Sequence, residues 1–320
     1  MIEIDKSVDD NIIQPFQLES SNLRGREIRL GSVLDDILAA HDYPNPVAHL
    51  VAETIVVTLL LSSMLKYDGI FTLQASGDGP VGMLVSDMMT PENVIRGCAT
   101  YDAERLEASR EQLAALAAPE GSQNHLAQYL GKGHMAFTVD QNGGDDRYQG
   151  IVDLEGASLV DCVQHYFKQS EQIQTGIKMA VGLRDGKWRA GGIMIQALPE
   201  DQVSIKAGAE NTGEDDWRRS MILMDSCTED EFLDVDLDSK LLLFRLFHEE
   251  GVRVFDALPV AKGCRSSRER VETMLKTMPD EDIDYMMKEE QVDMVCEFCS
   301  TNYVFDSAEI GAIMKARKGD

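Results

Sequence analysis

Chemistry in this sequence begins with sulfur. Cys296-Glu297-Phe298-Cys299 is a Cys-x-x-Cys pair, whose two thiolates can share one metal ion or close one disulfide. A third thiol, Cys264, lies upstream in the same cysteine-bearing stretch. A closed structural zinc site wants four ligands, so three sulfurs leave one place to fill. Cys98, Cys162 and Cys227 fall in apolar or helical surroundings and read as small buried hydrophobes.

Other reactive residue types are less suggestive. His41, His49, His125, His134, His165 and His248 show no pair at metal-ligand spacing, and none lies beyond position 248. Gly77-Asp78-Gly79-Pro80-Val81-Gly82 matches the dinucleotide-binding string, but a β-run follows it where a helix N-terminus should face the pyrophosphate. It reads as a hairpin turn, and no nucleotide is expected. We find no serine-histidine-acid arrangement and no paired-carboxylate site, so no catalytic residue is assigned.

Charge narrows the partners. The 320 residues carry 30 Lys and Arg against 56 Asp and Glu, a formal charge of −26. Phosphate neutralisation needs a cationic surplus that is missing, so neither nucleic acid nor an anionic membrane surface is expected as a partner. The acidic start, Met1-Ile2-Glu3-Ile4-Asp5, has no basic flank or apolar stretch of a secretory signal, so a cytoplasmic protein is expected. In a reducing compartment the cysteines should be thiols or metal thiolates rather than a disulfide framework.

The elements that must position these thiols fall into three stretches. Over positions 1–199 an α+β domain is expected, with an antiparallel sheet built largely from hairpins. Leu34 to Lys66 has helical spacing broken at Tyr43-Pro44-Asn45-Pro46, and its apolar run Thr54 to Leu65 is too short to cross a bilayer and reads as a buried helix. Strands are expected over Gly69–Gln74 and Val81–Val85, His134–Val139 and Tyr148–Leu154 around Asn142-Gly143-Gly144, and Gly176–Leu183 and Gly191–Ala197 around Asp185-Gly186. Ser158 to Lys168 reads as a helix.

Positions 200–255 form a helical, strongly acidic linker. Glu200 to Glu250 holds 15 acidic and five basic residues, yet Trp217, Met221, Ile222 and Met224 keep helical spacing. So do Phe232, Leu233, Leu237, Leu241, Phe244 and Phe247. The segment reads first as an acidic amphipathic pair of helices lying on the core domain; a sharper reading is that mutual repulsion leaves it marginally stable. Positions 256–320 are a small cysteine-bearing domain with short helices: Ser266 with Glu269 fits a capping box, and Asp306 with Glu309 resembles another helix start. A unit of roughly sixty residues with few large apolar groups needs extra fastening, which a metal supplies.

Several strings, in order, resemble the thirty-three-kilodalton chaperonins, the redox-regulated heat-shock holdases. They are His41-Asp42-Tyr43-Pro44, Gly77-Asp78-Gly79-Pro80, Gln149-Gly150-Ile151-Val152, Tyr166-Phe167-Lys168-Gln169-Ser170-Glu171-Gln172 and Ala190-Gly191-Gly192-Ile193-Met194-Ile195-Gln196. Arg245-Leu246-Phe247-His248-Glu249-Glu250, Ser267-Arg268-Glu269-Arg270, Pro279-Asp280-Glu281 and the Cys-x-x-Cys pair continue the series. The resemblance implies an ATP-independent chaperone rather than an enzyme, which holds unfolding client proteins during oxidative stress. It implies a core domain, a helical linker over it and a zinc domain whose oxidation exposes client-binding surface, with homodimers on activation.

One departure matters. The family places Cys-x-Cys before the Ser-Arg-Glu-Arg string, whereas this chain reads Cys264-Arg265-Ser266. Serine is a poor zinc ligand and a good helix cap, so Ser266 is expected to cap. Zinc is then expected on Cys264, Cys296 and Cys299, more weakly than on four thiolates. These are also the redox-active residues, with a local Cys296–Cys299 disulfide expected and Cys264 left free or joined to another thiol. Two rivals remain: a holdase that is permanently active because the metal site never locks the linker, and a thiol-disulfide oxidoreductase using Cys296 and Cys299.

Overall fold

The computed structural model describes residues 10–115, 125–142, 147–198, 212–286, 288 and 291–317. The turn at Gly143-Gly144 and the first residues of the acidic linker lie outside them. The chain divides into two compact units, Met1–Lys262 and Gly263–Asp320.

In the first unit, β1 (Ile12–Leu18) and β2 (Leu23–Leu30) form a hairpin, followed by α1 (Ser32–Leu38) and α2 (Asn45–Ser62). Next come β3 (Gly69–Gly77), β4 (Val81–Met89) and β5 (Val94–Tyr101), then α3 (Ala103–Ala115) and α4 (His125–Tyr129). After β6 (Gly133–Gln141) and β7 (Arg147–Asp153), α5 (Leu159–Tyr166) runs into a π-helical turn over Phe167–Glu171. The hairpin β8 (Thr175–Arg184) and β9 (Lys187–Ala197) turns at Asp185-Gly186, where both residues have positive φ. Then follow α6 (Thr212–Asp225), α7 (Glu229–Leu233), α8 (Ser239–Phe247), β10 (Val252–Val254), β11 (Leu258–Pro259) and β12 (Ala261–Lys262).

These strands make two sheets. The first runs β10-β1-β2-β9-β8 with β11 also on β1, and every pairing is antiparallel. The second runs β12-β5-β4-β3-β6-β7, antiparallel except for β12 beside β5. The expected α+β class and its hairpins are what the fold shows, and β1, β2 and β5 add strands that the periodicity did not reveal.

Helix α2 joins the sheets into one core. It is apolar around nearly its whole circumference, and such a helix is stable in water only when enclosed. A Cβ placed on Gly97 of β5 would meet Ile55, and one placed on Gly192 of β9 would meet the next residue, Val56. Adjacent residues of one helix therefore touch opposite sheets. Thr54 and Thr58 keep their buried hydroxyls satisfied by donating to Leu50 O and Thr54 O, each at 2.7 Å. Although α2 is long and apolar enough to span a bilayer, 78% of it is buried in the protein.

The acidic helices α6, α7 and α8 cover the other face of the first sheet. Phe16, Leu18, Leu23, Ile193 and Ile195 meet Met224, Phe232, Leu233, Leu242, Leu243, Leu246 and Phe247 there, with Trp217 and Met221 at the margin. Thr228 caps α7 in a box with Glu231, and Asp238 caps α8 through Lys240 N and Leu241 N. This second cap resets the helical phase after α7. The spacing that ran through Leu241 and Phe244 is corrected accordingly: both are exposed, and Leu242, Leu243, Leu246 and Phe247 form the buried stripe. Ile222, expected on the α6 stripe, is also 61% exposed.

The second unit comprises α9 (Arg268–Thr277), α10 (Asp280–Met286), the hairpin β13 (Gln291–Val295) with β14 (Asn302–Asp306), and α11 (Ser307–Arg317). Its buried core is small, formed by Leu275, Ile283, Phe305 and Ile310. Arg268 lies over the Phe305 ring at 4.3 Å and pairs with Glu309 at 2.6 Å, tying α9 to β14 and α11.

Candidate metal centre

Hairpin β13–β14 presents Cys296 and Cys299 from its connecting loop. Ser300 adopts positive φ there, so the chain folds back sharply: Ser300 N donates to Cys296 O at 2.8 Å, and Cys296 N donates to Thr301 O at 3.0 Å. The loop leaves both sulfurs on the side of the segment that enters α9. Cys264 meets them from that segment, its Sγ 3.6 Å from Cys296 Sγ. All three sulfurs lie within 4.8 Å of one another. Among the described residues, this is the one grouping of three or more His, Cys, Asp or Glu side chains whose ligand atoms converge closely enough to hold a metal.

Ser266 does not cap α9. The cap is Ser267, whose side chain accepts from Arg270 N at 3.3 Å. The Ser266–Glu269 box is therefore corrected by one residue, because α9 begins at Arg268 and the residue just before it owns the open N–H groups. The freed Ser266 hydroxyl instead stands among the thiols, 3.2 Å from Cys264 Sγ and 3.3 Å from Cys299 Sγ. Tyr303 OH donates to it at 3.0 Å. Sequence reasoning missed Tyr303 and Thr301, although alternation along β14 sets Thr301 and Tyr303 on the same side of the strand.

Electrostatics separate the thiols. Burial pushes the Cys299 thiol up, but hydrogen bonding to Ser266 and Thr301 outweighs it and holds the group down at about 6. Thr301 Oγ1 is 3.2 Å from this sulfur. Burial raises Cys296. Outside the cluster, burial lifts Cys162 to about 11 and Cys227 to about 12. With Cys98 these are buried, as expected of small hydrophobes, and Cys162 and Cys227 stay protonated and unreactive at neutral pH.

The donor set suits a thiophilic ion. A tetrahedral zinc with bonds near 2.3 Å sets its sulfurs roughly 3.8 Å apart, close to the Cys264–Cys296 separation of 3.6 Å. Three sulfurs and one hydroxyl surround the same point. The arrangement is not that of a disulfide oxidoreductase, which lowers its attacking thiol at a helix N-terminus, since Cys296 and Cys299 are followed by β14.

Comparison with known proteins agrees with this architecture. Residues 11–306 match the family model described as Hsp33 protein. A 33 kDa chaperonin from Caulobacter vibrioides is 36% identical over 307 residues, covering 94% of this chain and 97% of the relative. One from Shigella flexneri serotype 5b is 35% identical over 299 residues, covering 93% and 94%. The crystal structure of a 33 kDa chaperonin, a heat shock protein 33 homolog from Thermotoga maritima, shares the fold with a TM-score of 0.79 at 19% identity, over 98% of this chain and 100% of that one. The chain therefore belongs to the Hsp33 family of chaperones.

Proposed function

We propose that this chaperone is a cytoplasmic holdase whose client-binding surface is governed by oxidation of Cys264, Cys296 and Cys299. The observation that carries the reading is the meeting of three thiols and Ser266 in a unit whose core has, among the described residues, four buried side chains. Zinc bound there would supply folding free energy to that unit. Cys264, Cys296 and Cys299 would hold it, and Ser266 with Tyr303 would close the fourth corner more weakly than a thiolate.

Oxidation then acts on the chain's own sulfurs. A thiolate attacks peroxide to give a sulfenic acid and hydroxide, which takes a proton from solvent, and a second thiol condenses with the sulfenic acid to a disulfide, releasing water. Two donors are consumed and one thiol is left over. The loop pair Cys296–Cys299 can close locally, and the approach of Cys264 to Cys296 at 3.6 Å offers a competing pairing. The leftover thiol can take a small thiol or join a second chain, which gives a route to dimers.

We assign the acidic segment, positions 200–255, which in the sequence follows the core at 1–199 and precedes the metal unit at 256–320, as the cover that loosens. Its described helices bury a polar pair that weakens their own adhesion. Glu27 and Arg29, side by side on one face of β2, are 0% and 1% exposed. Neither Glu27 carboxylate oxygen has a partner in full hydrogen-bond geometry among the described residues, although the Ser239 hydroxyl is close enough to steady its charge, and Arg29 reaches only the Asp234 carbonyl, leaving Nε and Nη1 unpartnered. Burying such groups costs free energy that lifting α6–α8 returns.

The test measures zinc content and suppression of aggregation of a denatured reporter enzyme side by side, before and after peroxide. Metal-loaded protein that is inactive when reduced and active when oxidised supports the switch. A second reading, a permanently active holdase, is favoured by Ser266 in place of a fourth thiolate, and activity of the fully reduced protein would select it.

A further inference from the structure

The string Tyr166-Phe167-Lys168-Gln169-Ser170-Glu171-Gln172 has no part in the thiol site, yet it builds an unusual wall. Its π-helical turn ends at Gln172 in the left-handed region, φ 55°. Together with the C-terminal end of α2 and strands β3, β6 and β7, it encloses a cavity of about 280 Å³ at one end of the space between the two sheets. The lining is mainly apolar, including Leu61, Phe71, Phe137 and Phe167, and Leu65 and Tyr148 at the mouth are 49% and 57% exposed. None of α6, α7 or α8 lines it, so the cavity does not depend on their position.

We propose that this cavity receives a bulky apolar side chain of an extended client segment, whose backbone pairs with β7. The inference rests on the holdase reading above but not on its redox latch. Strand β7 ends the second sheet, pairs among the described residues with β6 alone and has no buried residue, so it presents an edge of N–H and C=O groups that no described strand covers. Tyr148 belongs to that edge and also to the cavity, its hydroxyl 3.0 Å from both Tyr166 OH and Glu171 Oε1. A client strand laid along β7 therefore brings a side chain to the mouth.

The polar groups favour a polypeptide over a hydrocarbon or a fatty acid. Arg24 Nη2 donates to Gln196 Oε1 at 3.1 Å, while its buried Nε has no acceptor among the described residues. Glu171 is an exposed carboxylate that accepts from both tyrosines. One lining group lacks an acceptor and another can take more donors, and a peptide backbone supplies both kinds beside an apolar side chain. The charge of −26 further selects segments flanked by lysine or arginine.

The experiment titrates peroxide-treated protein, with reduced protein of verified metal content in parallel, against a short fluorescent β-prone peptide that has a central phenylalanine and lysines at both ends. Binding should weaken about tenfold in Leu65→Glu and about tenfold when the peptide's phenylalanine becomes serine. Glutamates in place of the terminal lysines should also weaken it, whereas Ile222→Ser, on the exposed side of α6, should leave it unchanged. Unaltered binding in Leu65→Glu would overturn the proposal. So would dodecanoate that displaces the peptide and binds with the same Leu65→Glu sensitivity, since the site would then be one for amphiphiles. Cover release after peroxide, followed in the same samples by Trp217 fluorescence in a Trp188→Phe background, reports on the redox latch separately.

Discussion

The two faces of the first sheet are built from the same strands and hold their neighbours in different ways. Toward α2, the sheet offers Ile13, Ile28, Leu30, Ala190 and Met194 to a helix that is itself apolar on all sides. Toward α6–α8, the alternate residues Phe16, Leu18, Leu23, Ile193 and Ile195 are just as apolar, but Glu27 and Arg29 lie among them. The helices on that side are acidic and are tied down at their edges by charge: Arg219 of α6 pairs with Glu250, which also accepts from Ser20 Oγ at 3.1 Å. Both faces exclude water, but among the described residues only the second encloses a side-by-side carboxylate and guanidinium that lack most of their hydrogen bonds. On the proposed reading the first is a permanent core and the second a removable cover.

Truncations on the two faces should differ most. Ile55→Ala, between the sheets, should cost about 2–5 kcal/mol of global stability and lower the main thermal transition. Leu243→Ala, equally buried beneath the cover, should have a comparable local cost but appear as easier lifting of α6–α8, with the α2 core melting nearly as in the parent protein. Equal loss of the main transition in both variants would erase the distinction.

The pH dependence comes next in size. Burial, partly countered by Arg29 and by the Ser239 hydroxyl, holds Glu27 up at about 7 against an ordinary 4.5, with Asp238 and Asp10 adding in the same upward direction. Below pH 4.5 Glu27 is neutral whether covered or exposed, so closure is fully favourable there. As pH rises through 7 the uncovered form is already ionised, and closure loses roughly 3 kcal/mol. Glu250 has the opposite sign, because Arg219 holds it below its ordinary value, and its contribution is present above 4.5 and lost in acid. Trp217 fluorescence of reduced Trp188→Phe protein should therefore show the cover tightest near pH 5 and looser at pH 8. Glu53 is also raised by burial to about 7, but it lies on α2 and titrates with global unfolding. A cover equally tight at pH 5 and 8 would remove Glu27 from the account.

Replacing both buried groups sharpens the same point. Glu27→Met with Arg29→Met should strengthen closure by about 1–4 kcal/mol and slow activation by peroxide, because apolar neighbours replace an incompletely bonded pair. Arg29→Met alone should loosen the cover by leaving the carboxylate without its cation. The smallest effect is expected of Arg219→Ala, about 1 kcal/mol, since the guanidinium is 48% exposed and solvent screens it. Stopped-flow fluorescence after peroxide would rank these variants.

Much of the fold was legible because hairpins announce themselves: Gly77-Asp78-Gly79-Pro80 and Asp185-Gly186 sit between alternating runs and do form turns. Strand β2, Leu-Arg-Gly-Arg-Glu-Ile-Arg-Leu, was hidden, because its charged residues are covered instead of facing water and a period-two hydropathy signal never appears. The acidic helices were recognisable, but the phase of α8 was not, since the Asp238 cap restarts the helix. At the thiol site, cysteine spacing identified Cys296 and Cys299, and Cys264 joined them by lying in the same terminal stretch, a grouping that the family resemblance reinforced. Proximity across the α9 segment was invisible in one dimension. Adjacent serines before α9 made either a plausible cap, and only the fold shows that Ser267 caps while Ser266 faces sulfur.

The central claim is that the thiol cluster controls one face and not the other. Hydrogen exchange of residues 212–250 and of α2, followed before and after peroxide in protein of known metal content, tests it directly. The account predicts that protection across 212–250 collapses on oxidation while α2 remains protected. Retention of protection in both regions, or its loss in both together, would contradict it.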